Sequence, residues 1–284
     1  MRGIVLAGGT GSRLWPITKS VSKQLLPIYD KPMIFYPIAT LMLAGIREIL
    51  IITTPTDQRQ FVSLLGDGSD YGVSFSYATQ SEPKGLAEAF IIGEKFLSGE
   101  PCLMILGDNI FHGAGLGRDI LKNLPESGAH IFTYEVSNPE EYGVLEIDSN
   151  NNPVLICEKP KHPKSNLAVT GLYFFDGNVS KIAKKVLPSE RGELEITSII
   201  DSYLRSNLLS FTKLSRGSAW LDTGNPSSLN DAAAYVRIVE ERTGLKIACL
   251  EEIALNNKWI TKEALQLKLR NRNLNSYYRY VVNL

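Results

Sequence analysis

The 284-residue chain carries only 3 cysteines, Cys102, Cys157 and Cys249, far apart and with no C-x-x-C pair. That excludes a disulfide scaffold and a cysteine-based zinc site. It has no excess of either charge: 30 Lys and Arg balance 30 Asp and Glu. A phosphate-backbone binder needs a basic surplus, so the balance argues against a nucleic-acid partner. Long apolar runs are also missing. The uncharged stretch Met33–Ile46 contains Pro37 and is too short to span a bilayer. The first apolar run, Ile4–Ala7, meets two glycines before it could serve as a signal peptide. These absences lead us to expect a soluble, cytoplasmic protein with no membrane partner. The 3 histidines, His112, His130 and His162, lie beside no candidate nucleophile. There is no G-x-S-x-G elbow either, which removes a Ser–His hydrolase.

What is present is an ordinary globular balance, 44% hydrophobic and 21% charged. Short apolar runs at Gly3–Ala7, Glu48–Thr53, Val73–Ala78 and Cys102–Leu106 predict strands. Between them, Ile34, Ile38, Leu41 and Met42 form a helical stripe, and Thr56–Leu65 and Gly85–Phe96 predict two more helices. Such alternation predicts a doubly wound, mostly parallel, Rossmann-like α/β sheet. After about residue 123 the strand-like runs crowd together, at Ile131–Val136, Gly143–Ile147, Val154–Glu158 and Val169–Phe175. The segment Ser149–Pro153 predicts a hairpin loop, and helices return at Ile196–Arg205, Ser227–Glu241 and from Thr261. The organisation we expect is one domain over 1–284. An α/β half fills about 1–123, a β-rich insertion about 124–226, and C-terminal helices about 227–284.

Strand Gly3–Ala7 runs into Gly8-Gly9-Thr10-Gly11-Ser12-Arg13-Leu14. Glycines there permit a tight turn whose N–H groups can face a phosphate, though a plain strand-to-helix connection uses the same residues. A P-loop is absent, and Leu14 stands where a dinucleotide fingerprint needs its third glycine. Arg13 and then Lys23, within Lys23-Gln24-Leu25-Leu26-Pro27, supply cations suited to a triphosphate. Asp108 follows an apolar strand, at the end where open α/β sheets bind ligands.

Gly-Gly-x-Gly-x-Arg-Leu followed by Ser22–Pro27 resembles the signature of the sugar nucleotidyltransferases, also called sugar-nucleotide pyrophosphorylases. The resemblance continues in order through Leu106–Asn109, Glu158–Pro160, Arg191–Thr197 and Ala219–Gly224. It is closest to members that join dTTP and glucose 1-phosphate into dTDP-glucose and pyrophosphate. The resemblance implies that Gly8, Gly9, Thr10 and Gly11 cradle phosphates, with Arg13 and Lys23 on the leaving pyrophosphate. Gln24 would lie near the nucleoside, and Gln80 and Gly85 would read the base. Asp108 and Asp222 would hold Mg²⁺. On the sugar side it implies Asn109, Tyr142, Gly143, Glu158 and Val169, with Lys159 aiming the nucleophilic phosphate. The Arg191–Thr197 stretch would close the sugar pocket. Lys84 and Glu88 depart from the family pattern. A homotetramer, a role in supplying dTDP-deoxysugars such as dTDP-rhamnose to surface lipopolysaccharide, and a regulatory site also follow from resemblance alone. UTP or another sugar 1-phosphate remains an alternative. So does a non-catalytic sugar-nucleotide-binding homologue, although Arg13, Lys23, Asp108 and Asp222 are all retained.

Overall fold

The structure is a computed structural model and describes residues 1–9, 11–270 and 275–284. Thr10, expected in the phosphate cradle, lies outside the described residues. The strands are β1 (Arg2–Ala7), β2 (Pro27–Ile28), β3 (Lys31–Pro32), β4 (Glu48–Thr53), β5 (Ser74–Thr79), β6 (Cys102–Leu106) and β7 (Asn109–His112). They continue with β8 (Ala129–Glu135), β9 (Gly143–Ile147), β10 (Pro153–Glu158), β11 (Leu167–Phe175), β12 (Leu209–Lys213) and β13 (Ala219–Asp222). The α-helices are α1 (Phe35–Leu43), α2 (Gln58–Leu65), α3 (Glu88–Ile92), α4 (Glu94–Leu97), α5 (Leu116–Lys122) and α6 (Val179–Ala183). They continue with α7 (Ile196–Arg205), α8 (Pro226–Thr243), α9 (Leu250–Asn256), α10 (Lys262–Leu269) and α11 (Ser276–Val282).

The main sheet runs β5-β4-β1-β6-β11-β8-β12. Neighbouring pairs among β5, β4, β1 and β6 are parallel, and β11 enters antiparallel between β6 and β8. Hairpin β9–β10 attaches to β11 through Ala168 and Val144, and its turn, Asp148–Asn152, overlaps the predicted Ser149–Pro153 segment, whose Pro153 already belongs to β10. The central strands read as unbroken apolar runs because helices cover both faces. Alternate residues show it. Val5, Ile51 and Ile105 join the core beneath α1, α2 and α5, whereas Ile4, Ile52 and Met104 join the core beneath α3, α6 and α7. This is the doubly wound sheet the sequence predicts. One predicted helix differs: Gly85–Phe96 is interrupted at Gly93 and yields α3 and α4.

Small elements outside the sheet set up the site. Strands β7 and β13 pair only with each other, with Asp222 opposite Asn109. The β2–β3 hairpin is held against α8 through Ile28, Met33, Ala232 and Val236. Beside it lies a buried charge cluster. Lys31 reaches Asp30 at 2.5 Å and Glu240 at 2.8 Å, Lys246 bonds the same two carboxylates, and Glu240 also accepts from the Ile247 N–H at 2.9 Å. Among the described residues, no helix is long and apolar enough to cross a membrane.

Candidate active site

Because β1 connects onward to β4 while β6 lies on its other side, the carboxyl ends of β1 and β6 flank a topological switch point. A cleft of about 410 Å³ opens there, and a second hollow of about 260 Å³ adjoins it under the glycine loop. Gly9 (φ 100°) and Gly11 (φ 59°) turn the loop through left-handed backbone. Thr18 ties it down by donating to the Gly11 carbonyl at 2.7 Å. Leu14, in the third-glycine position of a dinucleotide fold, is 1% exposed, so its side chain anchors the turn and leaves Arg13 free to line both hollows.

Lys23 is buried, and its Nζ donates to Asp108 Oδ2 at 2.6 Å. The Asn109 amide donates to Asp108 Oδ1 at 2.9 Å, and Trp220 Nε1 donates to Asn109 Oδ1 at 2.6 Å. Gly171 makes room for this chain, since a Cβ there would lie 2.7 Å from the Asn109 side chain. The β7–β13 ribbon then brings in Asp222. Thr223 bonds the Asp108 carbonyl through both Oγ1 (2.8 Å) and its backbone N–H (3.3 Å), so the two aspartates meet although they are far apart in sequence. Arg13 and Asp222 both border Gly224, where a Cβ would sit 3.1 Å from Asp222 Oδ2 and 3.3 Å from Arg13 Nη1.

The two carboxylates are tuned in opposite directions. Burial would raise the pKa of Asp108, but the charge and hydrogen bond of Lys23, with Asn109, hold it below the usual carboxylate range. Burial, with the Asp108 charge, pushes Asp222 up to about 6 against the pull of Lys23, Arg13 and Lys159. Asp222 is thus a carboxylate short of cations, the condition a divalent cation would relieve.

On one side of the cleft, Gln80 lies just after β5 and is 6% exposed. Its Nε2 donates to the Gly85 carbonyl (3.1 Å) and to Glu88 Oε2 (2.8 Å). Gly85 (φ 103°) passes so close to Leu194 that a Cβ would lie 2.4 Å from its carbonyl oxygen. Gln24, buried beneath the loop, accepts from Ser22 at 2.8 Å.

Across the cleft, β9 and β10 present Tyr142, Gly143, Glu158 and Lys159, and β11 presents Val169. A Cβ on Gly143 would sit 3.2 Å from Glu158 Oε2. Burial, aided by the charge of Glu195, raises the Glu158 pKa. Lys159 holds left-handed backbone (φ 44°), and its N–H donates to the Tyr142 carbonyl at 3.0 Å.

Every described residue given a nucleotide, sugar or metal role by name in the sequence analysis lines one hollow or both, whereas Lys84 and Glu88, noted there as departures, line neither. Asn109, expected on the sugar, does border the cleft, but its amide is engaged by Asp108 and Trp220. Sequence reading missed Tyr173 and Gly171 as lining residues, while Thr197 was named only within the Arg191–Thr197 motif. Arg191 and Glu195, named only within a motif, form a pair at 2.8 Å on the rim. Trp220 is at once a packed aromatic, 8% exposed, and a wall of the cleft. No histidine is among the residues lining the cleft; His130 is buried between Ser210 and Thr212, at 2.7 and 2.9 Å.

Comparison with known proteins agrees with this geometry. The Nucleotidyl transferase family profile matches residues 2–237. Glucose-1-phosphate thymidylyltransferase of Neisseria meningitidis is 52% identical over 100% of this chain and 99% of its own length. The enzyme of the same name from Mycolicibacterium smegmatis is 50% identical over 100% and 99%. Among solved structures, a putative glucose-1-phosphate thymidylyltransferase from Bacillus anthracis, in complex with a sucrose, superposes with TM-score 0.78 at 41% identity, covering 84% of this chain and 95% of that one. A UDP-glucose pyrophosphorylase complexed with UDP-glucose reaches TM-score 0.73 at 25% identity, covering 84% and 98%. The chain is a nucleotidyltransferase and belongs to the glucose-1-phosphate thymidylyltransferase family.

Proposed function

We propose that the chain transfers the thymidylyl group of dTTP to glucose 1-phosphate, with Mg²⁺, giving dTDP-glucose and pyrophosphate. The observation that carries this reading is the convergence of Lys23, Arg13, Asp108 and Asp222 around the glycine loop, facing Glu158 and Lys159 across one cleft. An oxygen of the sugar phosphate forms a bond to the α-phosphorus while the bond to pyrophosphate breaks, and the electron pair leaves with pyrophosphate. The nucleophile is already anionic, so no general base is required. Catalysis then rests on positioning and charge.

Arg13 and Lys23 neutralise the departing pyrophosphate. Lys159 aims the sugar phosphate, and Glu158 accepts from sugar hydroxyls. Gly143 and Val169 border the same sugar-facing wall. Asp108 and Asp222 fit a magnesium ion, since Mg²⁺ is commonly bound by one or two carboxylates plus substrate phosphates. Bound there, the ion would neutralise negative charge on the reacting phosphates. Gln80 and Gly85 face the base. A cytoplasmic tetramer supplying dTDP-deoxysugar synthesis completes the reading.

The test is pyrophosphate release with glucose 1-phosphate and each nucleoside triphosphate in turn, with and without a chelator. Turnover with dTTP that the chelator abolishes is the expected result. Turnover with UTP alone would keep the mechanism and overturn the base. Binding of dTDP-glucose with no release from any nucleotide would make the chain a non-catalytic binding protein.

A further inference from the structure

The cleft presents the base with a glutamine, and glutamine is ambiguous: it offers a carbonyl acceptor or an amide donor, depending on which way the group is turned. Here the surroundings remove the choice. The two groups facing one end of the Gln80 amide are the Gly85 carbonyl, at 3.1 Å, and Glu88 Oε2, at 2.8 Å. A carbonyl and a carboxylate only accept, so the NH2 must face both of them. The orientation follows from chemistry and does not depend on telling oxygen from nitrogen.

The other end of the amide is therefore an oxygen. It lies against Gly8, where a Cβ would come within 2.9 Å of it, and Gly8 and Gln80 both line the cleft. No donor among the described residues reaches this Oε1, so its acceptor capacity is open to a ligand. Glu88 itself is half-buried at the start of α3 and is not among the residues lining the cleft.

We propose that Glu88 is a specificity-determining positioning residue, which locks the Gln80 amide with its oxygen toward the base and so selects bases carrying an imide N–H. This rests on the nucleotidyltransferase reading above and refines the substrate class of the same site. A thymine or uracil N3–H donates to Oε1. A cytosine turns its N3 lone pair toward the same oxygen, and two acceptors then face each other unpaired, which costs more than a missing contact. The lock discriminates on the pairing edge alone. It is blind to the thymine methyl group.

The experiment measures kcat/KM for pyrophosphate release with dTTP, dUTP and dCTP on the parent enzyme and on Glu88→Leu, Glu88→Ala and Glu88→Gln. Leu and Ala remove the acceptor and leave only the Gly85 carbonyl. The preference for dTTP over dCTP should fall roughly five- to tenfold, about the worth of one hydrogen bond. The change should appear in KM, with kcat for dTTP little altered. Gln retains an acceptor oxygen, so Glu88→Gln should keep the preference. The dTTP to dUTP ratio should stay constant throughout, because both bases carry the imide N–H. A merely structural role would lower all three nucleotides together. An undiminished dTTP over dCTP preference in folded Glu88→Leu and Glu88→Ala would overturn the inference, as would equal loss in Glu88→Gln. If the parent enzyme releases pyrophosphate from no nucleotide, it is the nucleotidyltransferase reading that fails.

Discussion

Two regions of this molecule gather two carboxylates and two cations in a sheltered place, and they treat them in opposite ways. Around the β2–β3 hairpin, Asp30 and Glu240 face Lys31 and Lys246, and each lysine reaches both carboxylates. Burial works against Asp30, yet the hydrogen bonds of Lys246 and Lys31 win and lower its pKa. In the cleft, Lys23 is committed to Asp108, and Asp222 is left with charges that attract it only from a distance. The first cluster is saturated and fastens α8 to the hairpin. The second is one cation short and opens to the substrate side. Buried charge with all its partners is structure, and buried charge missing one partner is a place where a ligand can bind.

The comparison can be broken most severely at the saturated cluster. Glu240→Leu would leave Lys31 and Lys246 sharing Asp30, and breaking a buried pair of this kind costs about 3–5 kcal/mol. Urea unfolding should register that loss, with turnover of the remaining folded protein close to the parent value. A loss under about 1 kcal/mol would place the cluster with ordinary surface pairs.

Asp222→Asn makes the reciprocal test. Turnover should fall roughly a hundred- to a thousandfold, about 2.7–4 kcal/mol of barrier, as when an oxyanion-hole donor is removed. The melting temperature at neutral pH should hold or rise, because the substitution relieves a charge the fold resists. A mutant that melts earlier yet turns over normally would reverse the two roles.

Protons sharpen the contrast further. Asp222 titrates near 6 in the folded chain, raised from an ordinary 3.8. Magnesium needs the carboxylate ionised, so affinity for the ion should weaken as pH falls through about 6. A calorimetric titration at pH 5 and pH 7.5 would measure this, and equal affinities would remove Asp222 from the metal site. The stability of the metal-free protein runs the other way: a raised carboxylate costs nothing below its unfolded value, and its cost grows as pH climbs from about 3.8 to 6. The advantage of Asp222→Asn in metal-free protein should therefore be larger at pH 7 than at pH 4.5. Asp30 behaves oppositely, since its lowered pKa gives stability that is present above about 3.8 and is lost only in stronger acid.

The smallest effect should come from an exposed pair. Lys184 meets Glu94 at 2.6 Å with side chains 49% and 45% exposed. Lys184→Ala should change unfolding free energy by less than about 1 kcal/mol.

The sheet was largely legible because its parallel strands are buried on both faces. Ile49–Ile52 within Glu48–Thr53, and Cys102–Leu106, are uninterrupted apolar runs, and the two predicted segments match the observed bounds of β4 and β6. The ribbon was not legible. Strands β7 and β13 have 4 residues each and owe their pairing to one another, with no local period to announce them. For the same reason Asp108 was readable from its place after a strand, whereas its meeting with Asp222 rested on resemblance. Glu88 illustrates a third limit. It looked like a departure from pattern, and only the fold of the Gly85 turn reveals that it faces Gln80.

The ribbon also has an architectural consequence. By pairing Ala219–Asp222 with Asn109–His112, it fastens together the two ends of the long excursion that carries the β9–β10 wall. Loops along that excursion, such as the Asp148–Asn152 turn, can lengthen or change sequence without altering the register that sets Asp222 beside Asp108. The lining of the β9–β10 wall can thus change while the aspartate pair stays in place.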